Sequence, residues 1–144
     1  DDKGKKKDTN VFTDVVVLSP IAYALDNVRI LPEDLPIAAG DATKNNAVIT
    51  TGAITGAGID VTNTIRDQSQ SLKDSKGDAV NVEKKEDIKV TVSVNSAKLV
   101  TVSNGVIKTK AGYEDATTDT VDEIRVTIEL YGQKCIRTIK VRKA

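Results

Sequence analysis

The side chains that most often carry out chemistry in proteins are scarce in this chain. It contains no histidine and a single cysteine, Cys135. The lack of histidine excludes Ser-His-Asp and Cys-His nucleophilic catalysis and every histidine-containing metal site. One thiol is too few for an internal disulfide or a thiolate zinc site. These exclusions predict that the chain is not an enzyme.

Cys135 itself has two interpretations. The more specific one is a reactive thiol or an intermolecular cross-link. However, Cys135 lies between Lys134 and Ile136 in a strand-like run, and the chain has no histidine to activate it. The sequence therefore favours the simpler interpretation, a small buried side chain that behaves as a hydrophobe.

Carboxylates make calcium the best metal candidate, because calcium requires only oxygen ligands. Asp115, Asp119, Asp122 and Glu123 lie in or beside an acidic, threonine-rich segment. A solvated acidic loop explains the same residues without a ligand. The sequence thus assigns no firm metal site and no cofactor, and these four residues are the candidates for calcium.

Three other patterns look like functional motifs but have simpler explanations. Adjacent carboxylates such as Glu86-Asp87 point to opposite faces of a strand, so they do not form an acid/base dyad. The glycines within residues 51–60 would suit a phosphate-binding loop only if a helix began directly after them. Ile59, Val61 and Ile65 predict a strand there instead. Residues 74–78 are predicted to form a turn rather than a calcium loop.

The charge balance excludes further classes of partner. The chain has 21 basic and 21 acidic residues, so it has no general attraction to nucleic acid or to an anionic membrane. No apolar stretch approaches the roughly 20 residues of a membrane helix, so no membrane insertion is predicted. The lysine-rich residues 1–10 are predicted to be disordered or to be an end added for expression.

Strict alternation of apolar and polar residues is the clearest structural signal. It runs through residues 88–94 and 124–130, and such alternation is typical of strands with one buried face. Asn104-Gly105 predicts a hairpin turn, and Gly132-Gln133 predicts a second one before residues 135–141. Short strands separated by such turns predict an all-β fold, an antiparallel β-sandwich.

The first 46 residues carry a different pattern. Residues 11–19 predict an apolar strand that Pro20 ends, residues 21–26 predict one helical turn, and residues 27–31 predict a second strand. Residues 11–46 are therefore predicted to be an N-terminal β extension or the trailing part of a preceding domain. The β-sandwich is assigned to residues 47–144.

Several stretches resemble the bacterial immunoglobulin-like domains, particularly those of group 2. LVTVSNGVIKTKAG at residues 99–112 resembles a hairpin of that family, and SLKDSKGDAV at residues 71–80 is similar to one of its turns. RVTIELYGQKCIRTIKV at residues 125–141 is similar to its closing hairpin. The resemblance implies an immunoglobulin-like sandwich without shared catalytic residues. Two features depart from the family: Val92, where many members have Trp, and an insertion at residues 113–123.

The resemblance implies a building block, because such domains recur in S-layer proteins, adhesins and phage structural proteins. We expect a structural module of a bacterial cell-surface assembly outside the cell, first of all an S-layer protein fragment. Its partners would be copies of itself or neighbouring domains of the same polypeptide. The alternatives are an accessory domain of a phage tail or capsid, and an adhesin or carbohydrate-binding module. Three tyrosines and one phenylalanine give the last alternative thin support.

Overall fold

The computed structural model describes residues 19–38 and 46–144. The lysine-rich end and most of the strand predicted at residues 11–19 lie outside these ranges. Within them the chain forms two α-helices and seven strands. In chain order they are α1 Pro20–Leu25, β1 Asn46–Thr50, β2 Ile59–Asp60, α2 Val61–Gln68, β3 Lys89–Asn95, β4 Val100–Ser103, β5 Val106–Thr109, β6 Val121–Leu130 and β7 Gln133–Arg142.

The strands form two sheets that share one hydrophobic core. One sheet has the strand order β1-β7-β6-β3 and the other has the order β2-β5-β4. The prediction of a mostly β protein is therefore confirmed. The prediction of antiparallel pairing has one exception among these strands, because β1 pairs with β7 in parallel. Turn signals report only pairs of successive strands, so they could not show this pairing of the first strand with the last.

Alternation decides which face of each strand enters the core. On β6 every second side chain from Ile124 to Leu130 is fully buried, and β7 contributes Ile139 and Val141 to the same layer. Each large aliphatic side chain that is removed from water in this way contributes about 1.5–3 kcal/mol. Val100 and Ile107 face them from the smaller sheet and are equally buried.

Two hairpin turns connect successive strands with two residues each. Asn104 and Gly105 join β4 to β5 with φ angles of 51° and 76°. Tyr131 and Gly132 join β6 to β7 with φ angles of 46° and 83°. Positive φ at both positions is typical of the type I′ turn. The first turn is as predicted, and the second lies one residue earlier than the predicted Gly132-Gln133.

These two turns supply a matched pair of substitutions. A Cβ atom at Gly105 would overlap the hydroxyl of Thr62 in α2, whereas a Cβ atom at Gly132 has no atom within 4 Å. We expect Gly132→Ala to lower the free energy of unfolding by about 1 kcal/mol, the cost of a left-handed backbone. Gly105→Ala should lower it by about 3 kcal/mol, because overpacking is added. Urea denaturation measures both, and equal losses would show that the contact with Thr62 is unimportant.

The segment before β1 packs on the same core as the sandwich. α1 confirms the predicted helical turn, and its start is capped by the Ser19 hydroxyl, which accepts a hydrogen bond from the backbone N–H of Ala22. The strand predicted at residues 27–31 is wrong. Val28 and Leu31 are buried in irregular backbone. Side chains from distant elements satisfy part of this backbone, so a neighbouring strand is not needed.

The strand predicted from Ile59, Val61 and Ile65 is also wrong beyond Asp60, because α2 begins at Val61. The Asp60 carboxylate caps this helix by accepting a hydrogen bond from the backbone N–H of Asn63 at 3.0 Å. Val61 and Ile65 are four residues apart, so both lie on the buried face of α2. Their β-branched side chains favour strands locally, but burial against the core outweighs that preference.

Candidate functional site

The structure does not bring the four calcium candidates together. Asp115 ends a 3₁₀ turn, and Asp119 accepts a hydrogen bond from the Thr117 hydroxyl. Asp122 and Glu123 already belong to β6, where consecutive side chains point to opposite faces, Asp122 buried and Glu123 exposed. In the described ranges, no group of three or more acidic or cysteine side chains is arranged to hold a metal ion. The four carboxylates thus do not form the oxygen cage that calcium requires.

Asp122 has a different environment from the other three candidates. It is only 1% exposed, and its carboxylate accepts hydrogen bonds from three successive backbone N–H groups. The distances are 2.9 and 3.0 Å to Lys98, 2.7 Å to Leu99 and 2.9 Å to Val100. These N–H groups lie where the chain passes from β3 in one sheet to β4 in the other. Asp122 therefore ties the two sheets together.

A second buried charge ties the N-terminal segment to the sandwich. Arg137 of β7 is 1% exposed, and its guanidinium donates to the carbonyl oxygens of Leu25 at 3.0 Å and Val28 at 3.2 Å. Both carbonyls lie at or just beyond the end of α1, where backbone carbonyls lack donors within the helix and a cation is favourable. Arg137 therefore caps the C-terminal end of α1 and holds this helix against β7.

Cys135 lies beside this arginine on the core-facing side of β7. Its thiol is half-buried and lies 3.8 Å from the carbonyl oxygen of Leu25. Burial raises the pKa of the Cys135 thiol, the Arg137 guanidinium lowers it, and the Asp26 carboxylate raises it further. The net rise keeps the thiol protonated at neutral pH, which disfavours a nucleophilic role.

The sequence contained a signal for both buried charges. Asp122 continues the inward phase of Ile124 and Val126, and Arg137 shares the inward phase of Ile139 and Val141. A charged residue in the buried phase of an alternating strand must have hydrogen-bond partners from elsewhere in the fold. We assigned Asp122 to a loop and gave Arg137 no role, so this signal was missed.

Two of the other motifs have structural roles, and the adjacent carboxylates Glu86-Asp87 lie in a 3₁₀ turn and not in the predicted strand. Residues 74–78 form the predicted turn, in which the Asp74 carboxylate accepts hydrogen bonds from the backbone N–H groups of Lys76 and Asp78, both at 2.9 Å. A helix does follow the glycines of residues 51–60, contrary to our prediction. However, the Asp60 carboxylate occupies its N-terminus, and a negative charge at that position opposes phosphate binding.

Comparisons with known proteins add no family assignment. The chain matches no protein-family model, no curated protein and no solved structure. Among the described residues, no helix is long and apolar enough to cross a membrane.

Within residues 19–38 and 46–144, two surface depressions have volumes near 400 Å³, which is enough to accept a small molecule. The first, of about 380 Å³, lies between α1 and the segment that follows α2, and we call it the helix groove. The second, of about 410 Å³, lies on the outer face of the four-stranded sheet around Arg125. The helix groove is lined by Tyr23, Ala24, Asn27, Gln68, Ser71, Leu72, Lys73 and Asp74.

Proposed function

We propose that this chain is a non-catalytic structural module with an immunoglobulin-like fold, belonging to a bacterial cell-surface assembly, with an S-layer protein as the first candidate. The order of strand pairing carries the proposal. If β2 to β7 are labelled B to G, the smaller sheet has the order B-E-D and the larger contains C-F-G. This order supports the proposal, because a constant-type immunoglobulin domain has the sheets A-B-E-D and C-F-G. The assignment to a cell surface rests on the sequence resemblance.

Two departures from that scheme lie at the start of the sandwich. β1 joins the G strand rather than the B strand, and β2 has only two residues before α2 begins. Both departures leave the order of the other strands unchanged. The first departure also places β1 and β7, the first and last strands of the described sandwich, side by side, which matters for a module that transmits force.

The parallel pairing of β1 with β7 is suited to bear load. Asn46, the first residue of β1, lies opposite Thr138, and Thr50 lies opposite Arg142 near the end of β7. Pulling the start of β1 away from the end of β7 therefore slides the two strands along each other. In that direction the hydrogen bonds along all five register positions are strained together, whereas peeling would break them one after another.

Long-range polar contacts join the other parts of the module. Asp122 connects the two sheets, and Arg137 connects α1 to β7. Tyr131, in the turn between β6 and β7, donates a 2.8 Å hydrogen bond to the Asp87 carboxylate just before β3. Such contacts favour a fold that yields as one unit rather than strand by strand.

Single-molecule pulling tests this role. Cys135→Ala removes the native thiol, and cysteine handles at positions 46 and 144 then load β1 and β7 in shear. A handle at position 52 with one at 144 serves as the control, because a Cβ atom at Gly52 would lie 3.7 Å from that of Ala144, at the same end of the strand pair. The two control cysteines are kept reduced until the handles are attached, because that distance allows a disulfide. We expect a severalfold higher unfolding force in the first geometry. Equal forces would contradict a load-bearing function.

A further inference from the structure

The helix groove has the construction of a small-ligand site. Ala24 and Leu72, which are 1% and 7% exposed, form its apolar floor, and polar side chains surround them. Its volume of about 380 Å³ lies within the 300–1,000 Å³ that is usual for ligand pockets, towards the small end. An apolar floor with a few polar groups is the usual composition of such sites.

Hydrogen bonds within the protein hold the walls of the groove in place. The Gln68 amide bridges to the segment after α1, accepting from the backbone N–H of Arg29 and donating to its carbonyl, both at 2.7 Å. The Asn27 amide donates to the Tyr23 carbonyl at 3.0 Å. Asp74 is fixed by its own turn. A preorganised site loses less conformational entropy when it binds a ligand.

The groups that face the groove suit a neutral ligand with many hydroxyls. Tyr23, on one wall, is 37% exposed and presents an aromatic surface. Within residues 19–38 and 46–144, no hydrogen bond or ion pair engages the Tyr23 hydroxyl, the Ser71 hydroxyl or the Lys73 ammonium. Lys73 and Asp74 balance each other in charge, so neither an anion nor a cation is favoured.

From this combination we infer that the helix groove binds a neutral saccharide, one or two rings in size. A sugar ring has an apolar C–H face that packs on an aromatic side chain, and its rim of hydroxyls both donates and accepts hydrogen bonds. Tyr23 supplies the surface for the ring face. Ser71 and Lys73 supply donors, and the carboxylate of Asp74 supplies an acceptor. This inference is independent of the load-bearing role, since no residue that lines the groove belongs to β1 or β7.

The test is a titration of the full chain, followed by two-dimensional NMR, with three neutral disaccharides: maltose, lactose and the N-acetylglucosamine dimer. We expect at least one of them to shift the amide signals of residues around Tyr23 and Ser71, with a Kd on the order of 1 mM, as is common for a small and open site. No shift with any of the three, or shifts confined to the depression around Arg125, would overturn the inference.

Substitutions then locate the site. Tyr23→Ala should weaken the binding about tenfold, and Tyr23→Phe should keep most of it, because the aromatic ring is retained. Tyr131→Phe is the matched control, since Tyr131 is 50% exposed but does not line the groove, and its binding should be unchanged. Lys73→Ala, at an exposed position, provides a second variant that keeps the fold. Unchanged binding in both Tyr23→Ala and Lys73→Ala would contradict the assignment.

Discussion

Asp122→Ala should lower the free energy of unfolding by about 4 kcal/mol, a large part of the roughly 5–15 kcal/mol that a domain has. The substitution removes the acceptor of three backbone N–H groups. Those of Leu99 and Val100 are buried, so water cannot readily replace the carboxylate. Each buried donor that loses its partner costs about 1–3 kcal/mol. Guanidinium chloride denaturation, followed by circular dichroism, gives the change.

The control for this prediction is Asp119→Ala. Asp119 is an exposed carboxylate three residues earlier, and its hydrogen bond is made with a neighbouring hydroxyl in the same loop. Its removal should change stability by no more than about 0.5 kcal/mol. If both alanine variants were equally stable, Asp122 would not be the tie between the sheets that its contacts indicate.

Asp122→Asn separates charge from shape. Asparagine has nearly the same size, but one of its two polar atoms is an amide nitrogen, which donates. This nitrogen would face backbone N–H groups that also donate, so a hydrogen bond is replaced by a repulsive contact between two donors. We expect a loss of about 2–3 kcal/mol, between those of the two alanine variants. Its folded state should keep the wild-type circular dichroism spectrum.

Arg137→Ala should produce a loss of similar size, about 3–5 kcal/mol, for a different reason. Arg137 is among the largest fully buried side chains in the described part of the chain. Its removal leaves a cavity and takes one donor from each of the Leu25 and Val28 carbonyls, although the Leu25 carbonyl keeps the backbone N–H of Val28. Hydrogen exchange should show the release most clearly in residues 20–31, because Arg137 attaches that segment to β7. Denaturation gives the total change.

Two companion variants separate the contributions to this loss. Arg137→Met fills much of the same volume without donors, so it should recover about half of the loss that alanine causes. Arg125→Ala is the matched control, because Arg125 lies on neighbouring β6 with its side chain exposed on the outer face. It should change stability by no more than about 0.5 kcal/mol. Uniform exchange across the whole chain in Arg137→Ala would contradict a local attachment.

The hairpins were predictable because their determinants are close together in the chain. Asn104-Gly105 specifies its turn through two residues that tolerate positive φ, and alternation from Ile124 to Leu130 specifies one buried face. The second turn was misplaced by one residue, since Tyr131 rarely adopts the φ of 46° that it has here. No local rule would have chosen Tyr131 over Gln133 as the partner of Gly132.

The helix groove was not predictable, because its walls come from segments that are distant in the chain. Its walls come from α1 and from the segment after α2, and the Gln68–Arg29 pairing that joins them spans 39 residues. Both helices are short, and four of the eight residues of α2 are β-branched and favour strands. Burial of Val61 and Ile65 against the two sheets, together with the cap that Asp60 provides, makes that segment helical.

The strand phases, the main turns and the scarcity of catalytic side chains could all be derived from the sequence, because they depend on residue type and on neighbours a few positions apart. Tertiary structure alone decided what the charges in those strands do. Asp122 meets its N–H partners across 22 to 24 residues, and Arg137 meets the Leu25 carbonyl across 112. A buried charge is stable only where such distant partners converge, so its role depends on the complete fold.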